Sequence, residues 1–246
     1  MDVTTPALVT LSVAAILFAA AYLQSATGFG LALVCMALVP LVLPVGEAIA
    51  FVAIASFGVN LFVIFANRAG FSWRHAIPLS LGMALGIPVG YYGLRALDGE
   101  WVVRLLGVVL MGIAMAEFLQ KRFVALKIPE RSGSVFGLIG GILAGAFNVG
   151  GPPVVVYAYS MRWSKVETVA ILQTVFLSGG LVRNLLMMQA GEYKAPLLTL
   201  VAWSLPASIL AVWLGKLTLD RLPRSALKAF VFLLIFVIGL RYAILG

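Results

Sequence analysis

Charge is scarce in this chain. Only 11% of its 246 residues are Asp, Glu, Lys or Arg, against about 25% in an ordinary soluble domain. With 63% hydrophobic residues it lacks the material for a polar surface, so a water-soluble fold is excluded. The same balance excludes a disordered chain, which needs polarity and net charge. A single cysteine, Cys35, excludes an internal disulfide. The single histidine, His75, cannot build a metal site alone. No HExxH run, Walker loop or GxSxG elbow occurs. Neither metal nor cofactor is expected. The N-terminus has no basic n-region and no A-x-A cleavage site, so the first apolar run reads as mature protein.

What is present is a series of apolar stretches. A membrane-spanning helix takes about 20 apolar residues, and such segments consume most of the length. The first stretch, Ala7 to Leu43, is too long for one straight helix and is interrupted at Gln24-Ser25-Ala26-Thr27-Gly28-Phe29-Gly30. Ala48–Ala66, Ala76–Leu94 and Trp101–Leu119 follow, then a hydrophilic loop from Gln120 to Ser132. A glycine-rich run, Gly137 to Gly145, leads to a second break, Asn148-Val149-Gly150-Gly151-Pro152-Pro153, and continues to Met161. Thr168–Met188, Pro196–Leu214 and Leu227–Leu245 complete the chain. Each half is therefore one broken segment followed by three whole ones. Glu47 and Glu167, Trp73 and Tyr193, and Gly28 and Gly150 correspond at a spacing of about 120 residues. The organisation expected is a first membrane repeat over residues 1–120, a cytoplasmic loop over 121–132 and a second repeat over 133–246. Short unwound elements at matching places in two halves point to a transporter binding site.

The net charge of +8 falls in loops between apolar runs and reports topology rather than nucleic acid. If each broken segment crosses once, Lys and Arg divide evenly between the faces. If each is a hairpin, one face collects Arg68, Arg74, Lys121, Arg122, Lys127, Arg131, Arg162, Lys165, Lys216, Arg221, Arg224 and Lys228. The other keeps Arg95, Arg104, Lys194 and Arg241. The hairpin arrangement obeys the positive-inside rule. It sets three crossings between the hairpins, which inverts one half relative to the other and puts both termini outside. The fold class expected is an all-α polytopic membrane protein of two inverted repeats, each a broken or hairpin helix followed by three transmembrane helices.

A break at depth exposes backbone groups that lipid cannot satisfy. The arms restarting after Gly30 and at Pro152 each present first-turn N–H groups. Proline at a first helical position forfeits little, and glycine lets the backbone approach a ligand. Two helix N-termini facing one buried space suit an anion. Gln24, Ser25, Thr27, Gly28, Gly30, Asn148, Gly150, Gly151 and Pro152 are accordingly the candidate binding residues.

These breaks, Gln24–Gly30 and Gly137–Pro153, together with the four-plus-four plan, resemble the sulfite exporter TauE/SafE family over nearly the whole chain. The resemblance implies a multi-pass permease of the bacterial inner membrane for small sulfur-containing anions such as sulfite or organosulfonates. Many members carry three consecutive glycines in the breaks. Here the breaks hold Gly28-Phe29-Gly30 and Gly150-Gly151-Pro152-Pro153 instead.

Arg183 lies inside an apolar segment, where a cation costs about 2.5–3.5 kcal/mol on insertion scales. Two readings are open: an anion-binding or gating residue, and a side chain that snorkels to the outer interface. Glu47 and Glu167 open apolar helices. Helix capping and proton coupling are the two readings for them. Trp73, Trp101, Trp163 and Tyr193 read as interface anchors. Tyr157, Tyr159 and Cys35 read as packing residues. The function expected is secondary transport of a small anion by alternating access, with the lipid bilayer and the anion as partners and a homodimer as a compatible assembly. A passive anion channel and a membrane-embedded enzyme are the alternatives. The second would need a nucleophile, metal ligands or a carboxylate pair at depth.

Overall fold

The computed structural model describes residues 4–27, 29–66, 73–119, 128–161, 163–218 and 224–245. Gly28, Arg68, Lys121, Arg122, Lys127, Arg162 and Arg221, and most of the loop after Gln120, lie outside them. The described residues form ten α-helices and no strand. In the first half these are α1 (Thr4–Thr27), α2 (Leu31–Leu38), α3 (Val45–Ala66), α4 (Trp73–Arg95) and α5 (Gly99–Phe118). In the second they are α6 (Gly133–Phe147), α7 (Gly151–Ser160), α8 (Lys165–Gln189), α9 (Ala195–Thr218) and α10 (Arg224–Leu245). Short 3-10 turns, Val39–Leu41 and Glu130–Ser132, flank α2 and α6.

Helices α1, α3, α4, α5, α8 and α9 are long and apolar enough to cross a membrane. At about 1.5 Å per residue, the 8 residues of α2 and the 10 of α7 reach no more than about halfway through a bilayer core of about 30 Å. Apolar side chains such as Leu85 and Trp203 are 70% and 73% exposed, a surface that lipid satisfies and water does not. Proline is tolerated inside α4 (Pro78, Pro88) and α9 (Pro206), because neighbouring helices and local adjustment can satisfy the freed backbone groups.

Helix α6 folds back on itself through α7. Gly140 lies against Val154, and Gly150 against Ala144. Farther from the bend, the Tyr157 hydroxyl donates to the Glu130 carbonyl at 2.6 Å and its ring packs on Phe136. Helices α6 and α7 thus pair antiparallel. Helices α1 and α2 also pack on one another across the first break.

The most extensive helix contact is between α4 and α6. A Cβ at Gly137, Gly141 or Gly145 would overlap the carbonyls of Leu79, Met83 or Ile87. A Cβ at Gly82, Gly86 or Gly90 would overlap those of Ser134, Leu138 or Ile142. Two ladders of glycine at four-residue spacing thus let the backbones touch, the packing that substitutes for a hydrophobic drive inside lipid.

The contacts also fix helix directions. Numbers rise together along α4 and α6, so the two are parallel. At the start of α4, His75 meets Glu167 of α8 at 3.2 Å. In the middle, Met83 and Ile87 approach Gly179. At the end, Tyr91 and Arg95 reach Glu192 at 2.7 and 2.9 Å. Helices α4 and α8 therefore run parallel. By contrast, Ala53 pairs with Asn184 and Phe57 with Gly180, so α3 opposes α8. Gly107 meets Ala243 while Leu110 meets Gly239, so α5 opposes α10. Exchanging the halves carries the α4–α6 contact onto α9–α1, and α4–α8 onto α9–α3.

Candidate functional site

The two breaks come together at a cavity of about 70 Å³. Gln24 and Gly30 line it from the first break, and Asn148, Gly150, Gly151 and Pro152 from the second. Met83, Ser56 and Gly179 line it from near the midpoints of α4, α3 and α8, which sets it midway along these helices.

Each break is held open by a different local device. At the first, Gly30 sits at φ 107°, a left-handed conformation that glycine adopts without strain. Gln24, on the last turn of α1, accepts from the Leu31 N–H at 3.2 Å and donates to Asn60 Oδ1 at 2.8 Å. One side chain thus caps the restarted helix and ties it to α3. At the second break Asn148 takes the left-handed position, φ 60°, which Asn tolerates better than most residues. Its Nδ2 donates to Ser56 Oγ at 3.1 Å. Ser56 and Asn60 are one turn apart, so α3 anchors both breaks on a single face. Neither residue stood out in the sequence reading. Two amide or hydroxyl side chains at i and i+4 in an otherwise apolar helix were the available signal.

The two restarts differ in donors. Ala32 and Leu33, in the first turn of α2, line the cavity, and N–H groups at this position have no partner within their helix. In α7, Pro152 and Pro153 occupy the first turn and have no N–H to offer. The second restart therefore presents only the amides of Gly150 and Gly151. The expectation that the arm restarting at Pro152 exposes several first-turn N–H groups is corrected by this proline pair.

The charge in the site comes from Arg183. Its side chain is 1% exposed and does not extend to the interface. Nη1 donates to the Gly145 carbonyl at 2.6 Å. Nε and Nη2 are buried without a hydrogen-bond partner, and among the described residues Arg183 forms no ion pair, in contrast to Arg95, which pairs with Glu192. The next residue, Asn184, is fixed by bonds to the carbonyls of Gly180 and Ala53 at 2.7 and 3.3 Å, and by the Tyr193 hydroxyl. This network sets the rotation of α8 that turns Arg183 inward. Phe29, Phe57 and Phe176 complete the wall, and as apolar residues in apolar segments they gave no sequence signal.

Other expected residues fall elsewhere. Ser25 Oγ donates to the Tyr22 carbonyl at 2.6 Å and lies against Gly215 of α9, so it turns away from the cavity. Thr27 ends α1, and Gly28 is outside the described residues. Glu167 is in the first turn of α8, where its N–H is capped by Ser164 Oγ at 3.2 Å and its carboxylate meets His75. Glu47 lines a second cavity nearer the other end of α8. Tyr157 packs between Phe136 and Trp163.

A small space with a buried guanidinium, three amide side chains (Gln24, Asn60 and Asn148) and helix N-terminal N–H groups can hold a small anion, and among the described residues its lining has no carboxylate or thiol for a cation. A family model described as sulfite exporter TauE/SafE matches residues 13–242. A curated relative from Cupriavidus necator, the probable sulfite/organosulfonate exporter TauE, is 27% identical over 212 residues, covering 84% of this chain and 82% of its own. No solved structure shows significant similarity.

Proposed function

The chain belongs to the sulfite exporter TauE/SafE family, and from that premise we propose that it exports small sulfur-containing anions, sulfite or organosulfonates, by alternating access. It is a multi-pass protein of the bacterial inner membrane. The observation that carries the proposal is Arg183: a cation 1% exposed, with two nitrogens unpartnered, in the wall where both breaks meet. Burying an unpaired charge costs several kcal/mol, and a bound anion removes that cost. Sulfite or a sulfonate group offers three oxygens to the guanidinium and the first-turn amides, and these donors need no reorganisation to receive it.

The opposed directions of α3 and α8, and of α5 and α10, support reading the halves as inverted repeats. In such a pair, exchanging the conformations of the halves turns an outward-open state into an inward-open one. The anion would sit between the two hairpins while this happens. That role in moving a solute, rather than changing it, is why we read the protein as a transporter and not an enzyme.

The test is anion binding to purified protein. Charge-assisted hydrogen bonds contribute about 1.5–3 kcal/mol, so Arg183→Gln should weaken methanesulfonate or sulfite binding by about 10- to 100-fold. Arg183→Lys should retain part of the affinity. Binding by a folded Arg183→Gln protein within twofold of the parent would overturn the reading.

A further inference from the structure

The second cavity is larger, about 580 Å³, and Arg183 lines it as well as the first. It lies toward the N-terminal end of α3 and the C-terminal ends of α4 and α8, the end that the charge distribution puts outside. Its walls are mainly apolar, with Ile49, Leu94, Val102 and Leu197 among them. Its charged residues are Glu47, Arg95, Arg183, Glu192 and Lys194. Arg95 and Glu192 neutralise each other across 2.9 Å, and the Tyr91 hydroxyl bonds the same carboxylate at 2.7 Å. The residual charge is therefore Arg183 at the inner end and Lys194 against Glu47, a positive balance.

Resting on the transport reading above, we propose that this cavity is a second binding compartment for the exported anion, the outward release chamber, and that Arg183 is the wall shared by the two compartments. The geometry carries this directly. The guanidinium is tethered through Nη1 to Gly145, at the end of the α6 hairpin arm, while Nε and Nη2 remain free. Because the same guanidinium lines both spaces, an anion leaving the 70 Å³ cavity stays beside a counter-charge as it enters the larger one. The apolar walls beyond accommodate the carbon portion of an organosulfonate at no desolvation cost, and its anionic head stays on Arg183. Chamber and inner cavity thus divide the solute between them.

The experiment uses the full chain in right-side-out vesicles with Cys35→Ala. Gly46 lies at the start of α3 on the chamber wall, and an added Cβ there meets nothing within 4 Å. Ala50 is one turn deeper on the same wall. Each is replaced by Cys and treated with two thiosulfonate reagents, one bearing a sulfonate and one a trimethylammonium. Ala50→Cys should react from outside at least fivefold faster with the sulfonate reagent, and methanesulfonate should slow that reaction. Adding Arg183→Gln should abolish the charge preference without blocking access. Reaction only from the cytoplasmic side, or equal rates for the two reagents, would overturn the chamber. Should Ala50→Cys fail to fold, Gly46→Cys carries the same comparison. Charge-blind labelling alongside the loss of binding in Arg183→Gln sinks the chamber and spares the transport reading. Charge-selective labelling with binding unchanged in Arg183→Gln overturns the role of Arg183 in the inner site, and the chamber as a release compartment falls with it.

Discussion

The two broken segments occupy matching places in the two halves and solve the same problem by different chemistry. The first spends a side chain: Gln24 caps the restarted α2 and reaches Asn60. The second spends backbone: Asn148 takes a left-handed turn, and two prolines remove the N–H groups that would otherwise need partners. The first break therefore keeps donors in reserve for a ligand, while the second is rigid and close-packed. Glycines of α6 press on α4 along its length, and Gly145 of that stripe supplies the carbonyl that tethers Arg183. In the proposed transport reading the two breaks take unequal parts: the first would present hydrogen bonds to the anion, and the second positions the cation through Gly145.

The comparison of halves breaks outright if they are not inverted. Cysteines at Thr4 and Lys127, in a Cys35→Ala background, should label from opposite faces, the first outside and the second in the cytoplasm. Labelling from one face would remove both the hairpin topology and the inverted relation.

Rigidity of the second hairpin is tested next. Gly141→Leu would force α6 off the Met83 carbonyl, and overpacking of this kind costs about 1–3 kcal/mol or more. Gly112, where an added Cβ meets nothing within 4 Å, provides the matched control. Thermal unfolding in detergent should show a large drop in midpoint for Gly141→Leu and almost none for Gly112→Leu. Equal drops would mean that the α4–α6 contact is not what stiffens the segment.

The side-chain devices come third. Gln24→Leu leaves the Leu31 N–H and the Asn60 amide unpartnered, at about 1–3 kcal/mol. It should weaken anion binding as well as stability, because the first restart shapes the donor set. Asn148→Gly keeps the left-handed turn and loses only the bond to Ser56, for about 1 kcal/mol. Should Asn148→Gly reduce anion affinity more than Gln24→Leu does, the division of labour proposed for the breaks is reversed.

The smallest effect is expected from Pro153→Ala, which returns one N–H to the first turn of α7. A helix-terminal donor is worth about 0.3–1 kcal/mol to an anion, so affinity should rise no more than about fivefold. A fall in affinity would show that the proline fixes the restart angle and matters more than the donor it removes.

The positions of the breaks were legible in the sequence because their causes are local. Glycine, proline and polar residues inside apolar runs interrupt a helix wherever they fall, and apolar runs of about 20 residues specify spans by length alone. The hairpin expectation comes from counting charges, which depends only on which loops share a face, and the labelling of Thr4 and Lys127 tests it. Neighbouring residues were less readable. Gln24 and Ser25 looked equivalent, yet consecutive helical residues point about 100° apart, and packing against Gly215 takes Ser25 to α9 while Gln24 faces the cavity.

Composition and the order of apolar and broken segments were thus enough to determine an all-helical membrane protein with an interruption in each half. Tertiary structure alone decided that both interruptions hang from Ser56 and Asn60 on α3, across 92 and 36 residues, and that Arg183 turns inward to Gly145 instead of outward to the interface. Helix formation and insertion depend on nearest neighbours and on lipid, and the sequence carries both. The partner of a buried amide or guanidinium depends on which helices pack and at what rotation, and that is settled only when the glycine ladders of α4 and α6 close.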